Sequence, residues 1–133
     1  MDDLFVSTKK YLYRVLQDQK ATESVELETS LSDAVMDYVQ ENYADRDLSL
    51  QTIAEQFQQP SRNVSKEFKE ATGMTINEYI TKTRMSVAAH LLRYTDLFVN
   101  EIVSKIGLEN SNYFYKLFKK TYQCTPREFV GDK

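Results

Sequence analysis

Leu48-Ser49-Leu50-Gln51-Thr52-Ile53-Ala54 returns 49 residues later as Leu97-Phe98-Val99-Asn100-Glu101-Ile102-Val103, and Phe57 then falls on Ile106. One extra residue enters the next turn, and the offset becomes 50. Val64 then pairs with Phe114, Lys66 with Lys116, Phe68 with Phe118, Lys69 with Lys119, Thr75 with Thr125, Glu78 with Glu128 and Tyr79 with Phe129. In the first copy Ser49 is a good N-cap, and Leu48 before it can close against Ile53 as a hydrophobic staple. Gln58-Gln59-Pro60-Ser61 breaks the chain. A helix follows with Val64 and Phe68 on its inner side, and it stops at Gly73, which adopts a left-handed cap without strain. Each copy is therefore a pair of short helices about a tight turn. Two copies are too few for a solenoid.

Between the copies, Thr75 to Arg93 runs without Gly or Pro. Ile76, Tyr79, Ile80, Val87, Ala88, Leu91 and Leu92 are spaced for one buried face, which predicts a connecting helix of roughly 25 Å. Upstream, Leu31, Val35, Tyr38 and Val39 predict a helix that starts at Ser30, with Asp33 in a capping-box position, and stops near Tyr43. Further upstream still, Leu4, Phe5, Tyr11, Leu12, Val15 and Leu16 predict a helix over about 4–16, followed by a polar linker. The fold class expected is all-α: two helix-turn-helix subdomains joined by a long central helix, with an additional N-terminal helix. The expected division is 1–29 for the N-terminal helix and acidic linker and 30–131 for the compact domain. Within the latter, the units span about 48–73 and 97–122 and the connecting helix about 75–93.

Composition narrows the function classes. The chain has 133 residues, 41% apolar and 28% charged, with 3 Gly and 2 Pro, which excludes fibrous and low-complexity proteins. Cys124 is the sole cysteine and His90 the sole histidine. No intrachain disulfide and no Cys-rich zinc site can form, and neither residue has a ligand set or a catalytic partner. No catalytic residue, cofactor site or metal site is expected, and the chain is read as not an enzyme. No apolar stretch approaches the roughly 18 residues that cross a bilayer, and Met1-Asp2-Asp3 places acid where a signal peptide carries base, so a cytoplasmic, non-membrane location is expected.

The formal net charge of −3 hides an asymmetry: residues 1–45 hold 4 basic and 10 acidic side chains, whereas residues 46–131 hold 12 basic and 9 acidic. From 111 to 127 there are Lys116, Lys119, Lys120 and Arg127 and no acid. A local field of this kind steers a polyanion even when the whole chain is acidic. The second helix of a helix-turn-helix suits the DNA major groove, about 12 Å wide. Its outward residues are Arg62, Asn63, Ser65 and Lys66 in the first unit and Ser111, Asn112, Tyr115 and Lys116 in the second. Arg addresses guanine with two donors and Asn addresses adenine, while Lys69, Lys119 and Lys120, further along, are placed for phosphates. Lys119 and Lys120 also suit a helix C-terminus on electrostatic grounds alone. Major grooves on one face of a duplex recur every 34–36 Å or so, and the connecting helix plus its neighbours holds two readers near that separation.

These residues resemble the AraC/XylS-type transcription regulators, whose DNA-binding domain holds two helix-turn-helix units. The resemblance covers about residues 31–130. It rests on Leu48-Ser49-Leu50-Gln51-Thr52-Ile53-Ala54-Glu55, Val64-Ser65-Lys66-Glu67-Phe68-Lys69-Glu70-Ala71-Thr72-Gly73 and Glu101-Ile102-Val103-Ser104-Lys105-Ile106-Gly107-Leu108. The closing segments are Ser111-Asn112-Tyr113-Phe114-Tyr115-Lys116-Leu117-Phe118-Lys119-Lys120 and Thr125-Pro126-Arg127-Glu128-Phe129. It implies a bacterial, sequence-specific regulator, commonly an activator that bends promoter DNA and contacts RNA polymerase. It also implies base-reading positions at Arg62, Ser65 and Lys66 and at Ser111, Asn112, Tyr115 and Lys116. Three positions depart from the family pattern: Gln59 stands at a usually apolar turn position, Phe98 where the first repeat has the cap Ser49, and Gln123 where it has Gly73. Family members normally carry a further ligand-binding, oligomerising or receiver domain. The residues before this domain are too few for one, which leaves open a portion of a longer regulator or a naturally short one.

The partners expected are double-stranded DNA with a bipartite site, RNA polymerase, and a second copy of the chain through residues 4–16. The net acidity keeps a second reading open, in which the same helices form a protein-interaction module of a transcription complex with weak or lost DNA binding.

Overall fold

The computed structural model describes residues 30–131, and the helix expected over 4–16 and its linker lie outside the described residues. Among the described residues there are seven helices and no strand: α1 (Leu31–Asn42), α2 (Leu50–Gln56), α3 (Ser61–Thr72), α4 (Ile76–Tyr94), α5 (Val99–Lys105), α6 (Ser111–Tyr122) and α7 (Pro126–Val130). This is the all-α architecture of two helix-turn-helix units on a central helix.

Local chemistry accounts for most of the boundaries. Before α2, the Ser49 hydroxyl accepts from the Thr52 amide (3.2 Å) and the Thr52 hydroxyl accepts from the Ser49 amide (3.0 Å). Leu48 and Ile53 are both buried in the same core, as a staple requires. After α2, Gln58 takes a left-handed φ of 55°, and the Gln59 amide donates back to the Ala54 carbonyl. Pro60 then opens α3, and Gly73 closes it at φ 81° with its amide on the Lys69 carbonyl. Thr75 and Glu78 form a reciprocal capping box at the start of α4. At 19 residues α4 is about 28 Å long. Thr125 and Glu128 repeat that box before α7, the helix that the reading of the second unit as ending near 122 did not include. Its signal was present in the pairing of Thr75 with Thr125 and Glu78 with Glu128.

There are two cores, and α4 supplies both. The first gathers Val35 and Val39 from α1, Ile53 and Ala54 from α2, Val64 and Phe68 from α3, and Ile76 and Ile80 from α4. The second gathers Met85, Ala88 and Leu92 from α4 with Ile102, Val103, Ile106, Leu108, Phe114 and Phe118. The single buried face expected for α4 is corrected accordingly. Its buried residues are Ile76, Ile80, Arg84, Met85, Ala88 and Leu92, whereas Tyr79, Val87 and Leu91 are only half-buried. A helix that serves two cores in succession shifts its buried face where one gives way to the other, and Arg84 sits at that change.

The departures from the family pattern each have a local solution. Gln59 is exposed at the position where the second unit buries Leu108. Phe98 offers no side-chain cap, and only half a box remains, the Glu101 carboxylate accepting from the Phe98 amide at 2.8 Å. Gln123 adopts the left-handed conformation (φ 63°) that Gly73 adopts in the first unit, its side-chain amide donating to the Lys120 carbonyl. The extra residue of the second turn also finds its place. Where Pro60 alone precedes α3, Glu109 and Asn110 precede α6, and the Asn110 side chain accepts from the Tyr113 amide at 3.1 Å.

Candidate nucleic-acid interface

In α3 the core takes Val64 and Phe68, four residues apart. Arg62, two positions before Val64, and Lys66, midway between Val64 and Phe68, therefore lie across the helix axis from the buried line, and both are exposed. In α6 the core takes Phe114 and Phe118, and Asn112, Lys116 and Lys120 form the opposite line, all exposed. Tyr115, Lys69 and Lys119 are exposed beside these lines, and Ser65 and Ser111 are half-buried at their edges. All ten residues read from the sequence as base or phosphate contacts thus lie on α3 or α6, and none belongs to either core. The Asn63 side-chain amide donates to the Gln59 side chain at 2.9 Å and ties the helix to its own turn. The Ser61 hydroxyl donates to the Gln51 side chain at 3.4 Å, linking α3 to α2.

The lysines are embedded in a small electrostatic network. Hydrogen bonds from the Thr75 amide and hydroxyl hold the Glu78 carboxyl below its usual range, and Lys69 and Lys120 lower it further. Glu128 is lowered in the same way by Thr125 and then Lys119. A phosphate approaching these lysines competes with a carboxylate already held by its own helix cap.

Tyr113, 52% exposed, and Tyr115 flank the buried Phe114 on α6, as the pairing of Phe114 with Val64 implies. Two features were not foreseen. Arg84 is buried, and its guanidinium reaches backbone carbonyls of the α1–α2 loop. Arg46 pairs with Glu109 at 3.1 Å. No local pattern signals these two, whose partners are about 40 and 63 residues away. The His90 and Tyr94 rings meet at a tilt with centroids 4.8 Å apart, and Cys124 packs half-buried against the second core. Among the described residues no group of three or more His, Cys, Asp or Glu is placed to hold a metal ion, and no helix is long and apolar enough to cross a membrane.

Two copies of a helix-turn-helix on one central helix, each with a polar outer face on its second helix, define a domain of the type that transcription regulators use. Residues 53–131 match the family model described as "Helix-turn-helix domain", and the chain belongs to this family, in its AraC-type form. It is 30% identical over 114 residues to the "HTH-type transcriptional activator RhaS" of Enterobacter sp. (strain 638), covering 86% of this chain and 41% of that protein. The chain thus spans about two fifths of the length of that curated relative. The fold is similar to the C-terminal domain of AraT, a response regulator from Geobacillus stearothermophilus, with TM-score 0.75 and 28% identity over 77% of this chain and 84% of that one. It is also similar to the C-terminal domain of the two-component response regulator yesN from Fusobacterium nucleatum, with TM-score 0.72 and 32% identity over 74% and 96%. These relatives are regulators, not enzymes.

Proposed function

We propose that residues 30–131 bind double-stranded DNA sequence-specifically through α3 and α6, each reading one of two adjacent major-groove segments, and that the chain regulates transcription, as an activator, in a bacterial cytoplasm. The observation that carries this reading is the matched pair of outer faces, Arg62 and Lys66 on α3 and Asn112 and Lys116 on α6, each across its helix from a buried aromatic or aliphatic line. Arg62, Ser65 and Lys66 and Ser111, Asn112, Tyr115 and Lys116 read bases; Lys69, Lys119 and Lys120 hold phosphates. Grooves on one face recur at about 34–36 Å, and where the built-in separation of the two readers is shorter, the duplex bends or one unit lets go. Activation adds a contact with RNA polymerase. Self-association through residues 4–16 is tested by removing residues 1–29 and measuring mass and DNA affinity together; unchanged values defeat it.

The main test is selection from a randomised duplex pool at several salt concentrations. Enrichment of one bipartite motif is expected, and an interaction-only module enriches none. Arg62→Ala should then cost about 1–3 kcal/mol and relax preference at one base position. Lys119→Ala should weaken all sequences alike and lower the slope of log affinity against log salt by about 1. Equal losses on specific and random duplexes for Arg62→Ala would remove it from the reading face.

A further inference from the structure

The junction between the two units is more than the covalent run of α4. The loop from Tyr43 to Arg46 belongs to the first unit, because it leaves α1 and leads into α2, both of which build the first core. Arg84, on α4 between Ile80 of the first core and Met85 of the second, holds this loop down. Its Nε donates to the Tyr43 carbonyl and its Nη2 to the Asp45 carbonyl, each at 2.8 Å. The other side of the loop meets the second unit. Gly107 lies in the turn before reader helix α6, and a Cβ built there would stand 2.6 Å from the Tyr43 carbonyl oxygen and about 3 Å from the Ala44 carbonyl group. Two residues on, Glu109 pairs with Arg46 at 3.1 Å. That pair is mostly exposed and contributes little energy, but it marks the same seam.

We propose that Arg84 is a positioning residue: with the Tyr43–Arg46 loop and Gly107 it locks reader helix α6 in one orientation relative to α3, and thereby sets the spacing between the two DNA segments that the chain binds. The DNA half of this statement rests on the function proposed above. A two-headed reader gains affinity from its second head only in the geometry that lets both heads engage at once, so a stiff junction converts directly into a preferred spacer. Arginine suits the task because its planar fork donates along two fixed directions, whereas a lysine ammonium is a point donor on a flexible stem. Burial pulls the Arg84 guanidinium below its usual value, while Asp45 and then Tyr113 act the other way; a guanidinium keeps its charge in a folded protein in any case.

The test uses the full 133-residue chain. Arg84→Lys keeps the charge and loses the fork; Gly107→Ala pushes a methyl into the Tyr43–Ala44 backbone and leaves Arg84 intact. Spin labels at Glu70→Cys and Thr121→Cys, both exposed and neither assigned a DNA contact, in a Cys124→Ser background, report the distance between the far ends of α3 and α6. One narrow distance is expected for the parent, and a broadened or displaced one for each variant that retains the parent's helical circular dichroism. On duplexes whose two half-sites are moved apart by one or two base pairs, the parent should lose at least tenfold in affinity and the variants less than threefold, with single half-site binding unchanged within twofold. A parent-like narrow distance in either folded variant overturns the clasp without reference to DNA, and so does an unchanged spacer preference. A parent chain that enriches no bipartite motif defeats the DNA reading, and the label distances alone then judge the clasp.

Discussion

The first unit starts its leading helix with the Ser49–Thr52 box, enters its reader through Pro60 and leaves it through Gly73; the second does the same work with Glu101 alone, Asn110 and Gln123. Left-handed residues are exchanged as well. The turn position held by Gln58 in the first unit is Gly107 in the second, and the reader's C-cap held by Gly73 in the first is Gln123 in the second. The topology thus requires a positive φ at both places in both units, and either glycine or glutamine supplies it. Glycine is imposed only at Gly107, where neighbouring backbone also comes close; nothing lies within 4 Å of a Cβ at Gly73. The second unit carries the weaker leading cap and a strained Gln123, and beneath them a denser aromatic cluster. Among the described residues Phe118 packs against Phe114, Tyr122 and Phe129 at ring distances of 4.8–5.7 Å, whereas Phe68 has one such neighbour, Tyr79, at 5.6 Å. Burial stands in for local chemistry.

The largest effect that probes this contrast is Phe118→Ala, expected to cost about 3–5 kcal/mol in denaturant unfolding. Because the cores are separate, amide exchange should quicken in α6 well before α3. Equal quickening in both would show that the cores melt as one. Next come the left-handed caps: Gly73→Ala should lose about 1–2 kcal/mol and Gln123→Gly should gain about 1 kcal/mol, since an L side chain is strained at these angles. A melting temperature unmoved by Gln123→Gly would mean that its bond to the Lys120 carbonyl fully offsets the strain. Smaller still, Phe98→Ser should add about 0.5–1 kcal/mol by restoring the missing half of the cap, measured by the same unfolding. A loss instead would show that the exposed Phe98 ring has a packing role.

The smallest effect is on pH. The carboxyls of Glu78 and Glu128 sit below the usual 4.5 in the folded chain, chiefly through Thr75 and Thr125. Their stabilisation is therefore present in full above that value and is lost as pH falls through the lowered one. The stability gap between the parent and Glu78→Gln should be constant near neutrality and close in acid. Salt should narrow it more for Glu78→Gln than for Glu128→Gln, because two lysines act on the former and one on the latter. Indifference to salt at Glu78 would mean that Lys69 and Lys120 do not act on it together.

Much of the fold was legible because its signals are local. A capping box spans four residues, a staple six, and the pairing of Val64 with Phe114 and Phe68 with Phe118 needs only a repeat to be seen. The polar outer faces of α3 and α6 were legible for the same reason, since helical spacing puts Arg62 and Lys66 opposite whatever is buried. The bond from Asn63 to Gln59 was not legible, because Gln59 lies in a turn whose shape depends on Gln58 taking a left-handed φ. The burial of Arg84 on α4 was not legible because an arginine in a helix is ordinarily a surface residue.

The chain's linear text thus determined the helices, their caps, the duplication and the polar outer faces, all of which follow from interactions within about one helical turn or from comparing one copy with the other. Tertiary structure alone decided that Arg84 is interior, that Gly107 abuts the Tyr43–Ala44 backbone and that α4 divides its length between two cores. A buried guanidinium needs acceptors to replace its water, and here both are backbone carbonyls about 40 residues away, which carry no sequence signature because every residue has one.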